Sequence, residues 1–240
     1  MSDGVLCILK IQSSTHASDR NSFSHWCNAQ VPFLLLGLDL PATPLFQDNM
    51  ERNAIPQVHL NVIMQKFDGT TVDDNVKTGR RRFSVLKLPR YLILHMKRFY
   101  KNNFFIEKNP TIVNFPVKNW EVKEAIPVPS LKPDGPPQPS KYNLVANVCH
   151  DGKAGEGVYR CHINRAAEDM WYENQDLSVV EVLPQMVALS EAYLQVTKIC
   201  SAAVFRWSHC CCIMDKCHFF TEILHAPDAH KQVYELQKQS

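Results

Sequence analysis

One stretch, Tyr142 to Val182, constrains the chain more than any other. Tyr142, Leu144, Ala146 and Val148 alternate with Asn143, Val145, Asn147 and Cys149, the period of two that a pleated strand imposes on its faces. His150-Asp151-Gly152 and Gly155-Glu156-Gly157 follow, three glycines in six residues, enough conformational freedom to reverse the chain. Val158 to Asn164 alternates again and is the expected return strand. The apolar blocks Met170 to Tyr172 and Val179 to Leu183 are expected to add two more strands to the same sheet.

Composition restricts the function classes. A hydrophobic content of 45% in 240 residues supports one large domain or two small ones. The net charge of +2 is too small to argue for global attraction to nucleic acid or a membrane. Nine cysteines are an odd number without a disulfide-framework spacing, which reads as reduced thiols in cytosol or nucleus. Cys7-Ile8-Leu9 is too short an apolar patch for a secretory segment, and no run is long enough for a transmembrane helix.

Residues 1–27 are polar and Ser-rich and are expected to form a poorly ordered lead-in. Val31 to Leu40 is nearly continuously apolar and predicts one strand buried on both faces. Leu60, Ile63, Met64 and Phe67 fall on one helical face, which Gly69 closes. Arg80-Arg81-Arg82 reads as a solvated loop before a strand rather than a nucleic-acid contact. In Lys87 to Phe99, Pro89 opens a strand with Leu92, Leu94 and Met96 on one face and Tyr91, Ile93 and His95 on the other. His95 is thus expected to be a packed sheet residue.

Lys101-Asn102-Asn103 predicts a hairpin turn, with Phe104 to Ile106 pairing back, and Thr111 to Val117 predicts another short strand. Residues 126–140 hold six prolines and predict an exposed loop insertion without regular structure. The tail, 199–240, is Cys- and His-rich. Cys212 and Cys217 with His209 or His218 could meet a soft metal, but their spacing fits no module of paired ligands. Neither a metal nor a cofactor is expected.

The Tyr142 to Val182 block resembles the histidine-box half of the ubiquitin-specific proteases, papain-like cysteine enzymes that cut ubiquitin from proteins. Tyr142, Leu144, His150, Gly152, Gly157, Tyr159, Trp171 and Asp176 match that family's pattern. Lys87 to Phe99 resembles its Leu-Pro-x-x-Leu-x-Leu-x-Leu-Lys-Arg-Phe signature. The resemblance implies an α+β, papain-like fold, the fingers and palm half of the family domain over 28–198, mostly antiparallel sheet with few helices. The nucleophile-bearing thumb is not recognisable. Cys27 lacks the neighbours of the family's nucleophile, and Asp73 to Gly79 lacks the Cys-x-x-Cys half of the family's zinc site.

The two positions that carry the family's proton chemistry differ. Val158 stands at the general base and Gln175 at the residue that orients it. A valine cannot accept a thiol proton, and losing the base in such a set costs on the order of 10⁶ in turnover. His162 shares a strand face with Val158 but lies roughly 13 Å along it by the rise per residue, and His150 matches a family histidine that is not the base. His150, Tyr159, Trp171 and Asp176 are expected to be retained scaffold.

KNNFFIEKNPTIVNFP, HDGKAGEGVYR and LPQMVALSEAYLQV resemble an inactive branch of the family that works in pre-mRNA splicing. That resemblance implies a pseudo-enzyme interaction module in the nucleus. Its implied partners are spliceosomal tri-snRNP proteins, with ubiquitin or a ubiquitin-like protein as a further candidate. A deubiquitinase fragment and a truncated product without function are the alternatives.

Overall fold

The computed structural model describes residues 7–14, 26–42, 55–75, 79–102, 104–131 and 134–200. In chain order the elements are β1 (Cys7–Ser14), β2 (Cys27–Phe33), β3 (Leu35–Asp39), β4 (Gln57–His59), α1 (Leu60–Met64), β5 (Asp73–Asn75), β6 (Gly79–Lys87), β7 (Tyr91–Lys97), β8 (Phe99–Asn102) and β9 (Phe105–Lys108). There follow β10 (Ile112–Asn114), β11 (Trp120–Glu121), β12 (Lys141–Asp151), β13 (Val158–Arg165), β14 (Met170–Gln175), β15 (Ser178–Val182), α2 (Pro184–Ala188) and β16 (Ala192–Ile199).

The main sheet runs β15-β14-β13-β12-β16-β7-β3, with β11 beside β12. Its pairings are antiparallel except β3 on β7. The four strands expected between Tyr142 and Val182 are present and consecutive in the sheet. The chain then returns as β16, which inserts between β12 and β7. Sequence alternation could not supply that non-local pairing.

Within β7 the alternation is as read: Leu92, Leu94 and Met96 are buried. His95 is also buried, edge-on to Tyr193 at 4.9 Å between ring centroids. The Leu60, Ile63, Met64 and Phe67 face is buried too. It is built from α1 and a 3₁₀ turn over Gln65–Phe67, and Gly69 ends it at φ +83. His59 caps α1 by accepting from the Asn61 N–H at 3.2 Å, which satisfies one of the orphan donors at a helix start.

A second sheet, β2-β1-β6-β5, changes the reading of the N-terminal region. Part of the expected lead-in, Cys7–Ser14, is strand β1, paired on both sides. The expected single strand from Val31 to Leu40 breaks at Leu34. β2 leaves with the second sheet and is largely exposed, whereas β3 buries Leu36 and Leu38 in the main core. An apolar run shows no period when a chain passes from one sheet to another, so the break is invisible in sequence. Arg80 to Arg82 lie inside β6 rather than in a loop. Arg80 Nε meets Asp74 Oδ2 at 3.2 Å, and the Arg82 guanidinium lies 4.6 Å from the Trp26 ring centroid.

β8 and β9 pair antiparallel, Asn102 opposite Phe105, as the expected hairpin requires, while Asn103 lies outside the described residues. The strand expected at Thr111 to Val117 is shorter, Ile112–Asn114, and runs parallel to β4. The proline-rich loop is pinned rather than free. Gln138 is buried, its Oε1 accepts from the Leu88 N–H at 3.1 Å, and its Nε2 donates to Leu86 O at 2.8 Å. A single amide side chain thus reproduces a strand-like pair of hydrogen bonds where prolines cannot.

Arg98, at the corner after β7, is fully buried. Its Nε donates to Ala192 O at 2.6 Å, and its Nη1 donates to Asn109 O at 3.0 Å and Thr111 O at 2.6 Å. Burial pulls the guanidinium down to about 10, which still leaves it charged at neutral pH. Arg98→Met should cost about 3 kcal/mol, because three buried carbonyls lose their donor. Arg98→Lys should recover little of it, since one ammonium cannot reproduce the planar fork. Urea denaturation of the full chain measures both; an Arg98→Lys midpoint equal to wild type would contradict this account.

Candidate functional site

The hairpin β12–β13 and strand β14 assemble the positions singled out in the sequence. Val148, Cys149 and His150 are buried at the end of β12, where the chain approaches its turn. The turn needs its glycines for two different reasons. Gly152 and Gly155 have φ of +95 and +84, a left-handed backbone that side chains disfavour. Gly157 is instead a matter of space: a Cβ there would stand 2.2 Å from His150 Cε1 and 2.4 Å from Asp151 O. The His150 ring thus fills the place of a side chain on the returning strand.

His150 belongs to a row of rings. Phe99 and His150 are 5.0 Å apart between centroids, His150 and Tyr159 4.8 Å, and Tyr159 and Tyr193 5.5 Å, all tilted or edge-on, the arrangement that ring quadrupoles favour. Burial pushes the Tyr159 hydroxyl up to about 12. Lys108 ties the turn from β9, donating to His150 O at 2.6 Å and Gly152 O at 3.0 Å while pairing with Glu191 at 2.6 Å. His150 and Tyr159 are therefore packing elements of the hairpin.

Val158 opens β13 opposite Asp151 and is 50% exposed. Gln175 closes β14 and is exposed. The registers put Val158, Arg160 and His162 on one face of the sheet, with Glu173 and Gln175 on that same face. Asp176 takes φ +50 in the two-residue turn between β14 and β15, a conformation aspartate tolerates better than most residues. Trp171 is buried in the core.

The sequence reading missed the ion network between these positions. Arg160 pairs with Asp151 through one guanidinium nitrogen and with Glu173 Oε2 at 2.9 Å through the other. The same Glu173 oxygen lies 3.0 Å from His162 Nε2. One arginine and one glutamate thus bridge β12, β13 and β14 across the face that carries Val158 and Gln175. The signal was present in outline, since Arg160 lies midway between Val158 and His162 on one alternating face.

Cys149, His162 and Glu173 share this face and match by residue type a nucleophile, a base and its orienter. Their chemistry does not follow. Burial, and then the Asp151 carboxylate, push the Cys149 thiol up to about 12, and it donates to Arg160 O at 3.6 Å. A thiol held protonated is a poor nucleophile. Cys27 is exposed at the start of β2 in the other sheet. Among the described residues no group of three or more His, Cys, Asp or Glu side chains is placed to hold a metal. Cys212, Cys217, His209 and His218 lie outside the described residues.

Two expectations follow from this geometry. Gly157→Ala should destabilise the chain by about 2–3 kcal/mol, whereas Gly155→Asn, with nothing within 4 Å of a Cβ, meets only the strain of a left-handed backbone that asparagine tolerates best and should cost about 1 kcal/mol or less; equal denaturation midpoints would disprove the His150 contact. His162 is drawn below its ordinary 6.5 by burial, against the opposing pull of Glu173. The fold therefore favours the neutral ring, so stability is full above pH 6.5 and declines as pH falls through the depressed native value. Denaturation series between pH 8 and 5 should show that decline in wild type and a shallower one in His162→Gln.

A family model described as ubiquitin carboxyl-terminal hydrolase matches residues 10–196. Ubiquitin carboxyl-terminal hydrolase 39 of Homo sapiens is 48% identical over 170 residues, which is 69% of this chain and 29% of that protein. The Schizosaccharomyces pombe protein named "Probable mRNA-splicing protein ubp10" is 42% identical over 170 residues, 69% of this chain and 34% of that protein. The chain thus spans about a third or less of the length of these curated relatives. Among solved structures, the Ubp8-Sgf11-Sgf73-Sus1 SAGA DUB module aligns with TM-score 0.61 at 19% identity, over 83% of this chain and 40% of that one. An essential yeast splicing factor aligns with TM-score 0.57 at 22% identity, over 81% of this chain and 42% of that one.

Proposed function

Because this chain belongs to the ubiquitin carboxyl-terminal hydrolase family, we propose that it is a catalytically inactive member acting as an interaction module in pre-mRNA splicing. The observation that carries the reading is Val158, half exposed at the position of the family's base, where no proton can be accepted. Gln175 at the orienting position agrees with it, and the Asp151–Arg160–Glu173 network occupies the same face with fixed charges. The fission-yeast relative named for mRNA splicing supports the process. The proposed partners are proteins of the spliceosomal tri-snRNP, the proposed role is the recruitment of that particle during spliceosome assembly, and the proposed location is the nucleus.

Two measurements test this on the full chain. Incubated with a fluorogenic ubiquitin substrate, the folded wild type should release no fluorophore above buffer, and no cysteine should label with a ubiquitin-based thiol probe. Turnover would establish the deubiquitinase alternative. Tagged and captured from nuclear extract, the chain should enrich the tri-snRNP RNAs over an unrelated protein of this family. Equal recovery of those RNAs on both baits would reject the splicing assignment while leaving the inactivity reading standing.

A further inference from the structure

Among the described residues β15 ends the main sheet: it pairs with β14 on one side and is the terminal strand of the order. A terminal strand presents unpaired N–H and C=O groups, and proteins ordinarily protect it with lysine, proline, a bulge or a covering element. β15, Ser-Val-Val-Glu-Val, contains no lysine or proline, and its pairing with β14 runs without a register shift. Ser178, Val179, Val180 and Glu181 are all exposed, so both faces of the strand are open.

Apolar surface continues from the strand in both directions. Leu177 is 101% exposed in the preceding turn, and Leu183, Met186 and Leu189 are 65%, 60% and 61% exposed at and beyond α2. Large apolar side chains gathered around an open edge mark an interaction surface more than a solvated one. The strand carries one charge, the exposed Glu181. Glu181 stands opposite Tyr172. Arg165, on the same face of the sheet, is taken up by Glu168 at 3.3 Å and lies 5.2 Å from the Tyr172 ring centroid.

We propose that β15 is a docking edge for an extended segment of a partner protein in which aliphatic residues alternate with lysine or arginine. The segment adds as a further strand: main-chain hydrogen bonds extend the β14–β15 ladder, its apolar residues meet Val180 on one face, and its cations meet Glu181 on the other. A second copy of this chain is the weaker occupant. Self-pairing of β15 would set the Glu181 carboxylates of the two copies on one short ladder with no lysine or arginine in the strand to offset them. This surface does not depend on the fate of the catalytic positions.

The probe is a fluorescent peptide of about eight residues alternating lysine and valine, titrated into the full chain and read by anisotropy. A glutamate–valine peptide and a lysine–valine peptide N-methylated at alternate amides serve as controls. Saturable binding of the plain lysine–valine peptide alone, weakened at least about tenfold by Val180→Lys and by Glu181→Lys, supports the proposal. Both substitutions are at exposed positions, and circular dichroism reports whether each variant folds; Glu181→Lys carries the test if Val180→Lys does not. Equal binding of either control, or unchanged affinity in a folded Glu181→Lys chain, overturns it. Sedimentation showing a wild-type dimer that Val180→Lys converts to monomer would assign the edge to a second copy and overturn it too.

Discussion

The Arg98 guanidinium is the contact on which the rest of the arrangement hangs. It sits where β7 ends and reaches β16, which follows it by about a hundred residues in sequence, through the Ala192 carbonyl. Its other arm collects the carbonyls of Asn109 and Thr111 just before β10. A charge without water is costly, and the three carbonyls that accept from Nε and Nη1 offset much of that cost. The consequence is directional: the last strand of the sheet is fixed beside β7, and the segment leading to β10 is fixed at the same corner. Lys108, one strand later, then ties the β12–β13 turn to Glu191, immediately before β16.

The hairpin held in this way presents two unlike faces. One carries the ring row of Phe99, His150, Tyr159 and Tyr193, with Gly157 left bare so that the His150 ring fits. The other carries Val158 and Gln175 with Asp151, Arg160, Glu173 and His162 between the three strands. The first face is packed ring against ring. On the second, charged groups of three strands pair with one another. Packing and chemistry on one hairpin have thus separated, because alternate residues of a strand answer to different neighbours.

The edge beyond this hairpin extends the same logic. β15 lies beyond the ring row and the ion network, and Glu181 is the charge on its exposed strand. A sheet of this kind offers a partner its backbone as well as its side chains. What it would select is set by Glu181 and the valines beside it, while the Arg98 corner lies across the sheet from them.

How much of this was legible in sequence depends on the range of the forces involved. Strands β12 to β15, the face of α1 and the buried side of β7 follow from periodicity, which records the local environment of each residue. The family resemblance singled out Val158 and Gln175 for attention without any geometry. Three other features could not be read. The passage from β2 to β3 hides inside one apolar run, β1 lies within a polar segment and is strand only because β2 and β6 flank it, and Gln138 stitches a proline-rich loop to the β6–β7 connection. The sequence by itself determined which positions are apolar, which alternate, and that no proton acceptor stands at residue 158. Only the tertiary structure decided which strands are neighbours, that Arg98 would be dry, and that Arg160 would bridge Asp151 and Glu173. Those outcomes join residues far apart in the chain, whose burial and pairing exist only once the sheet has closed around them.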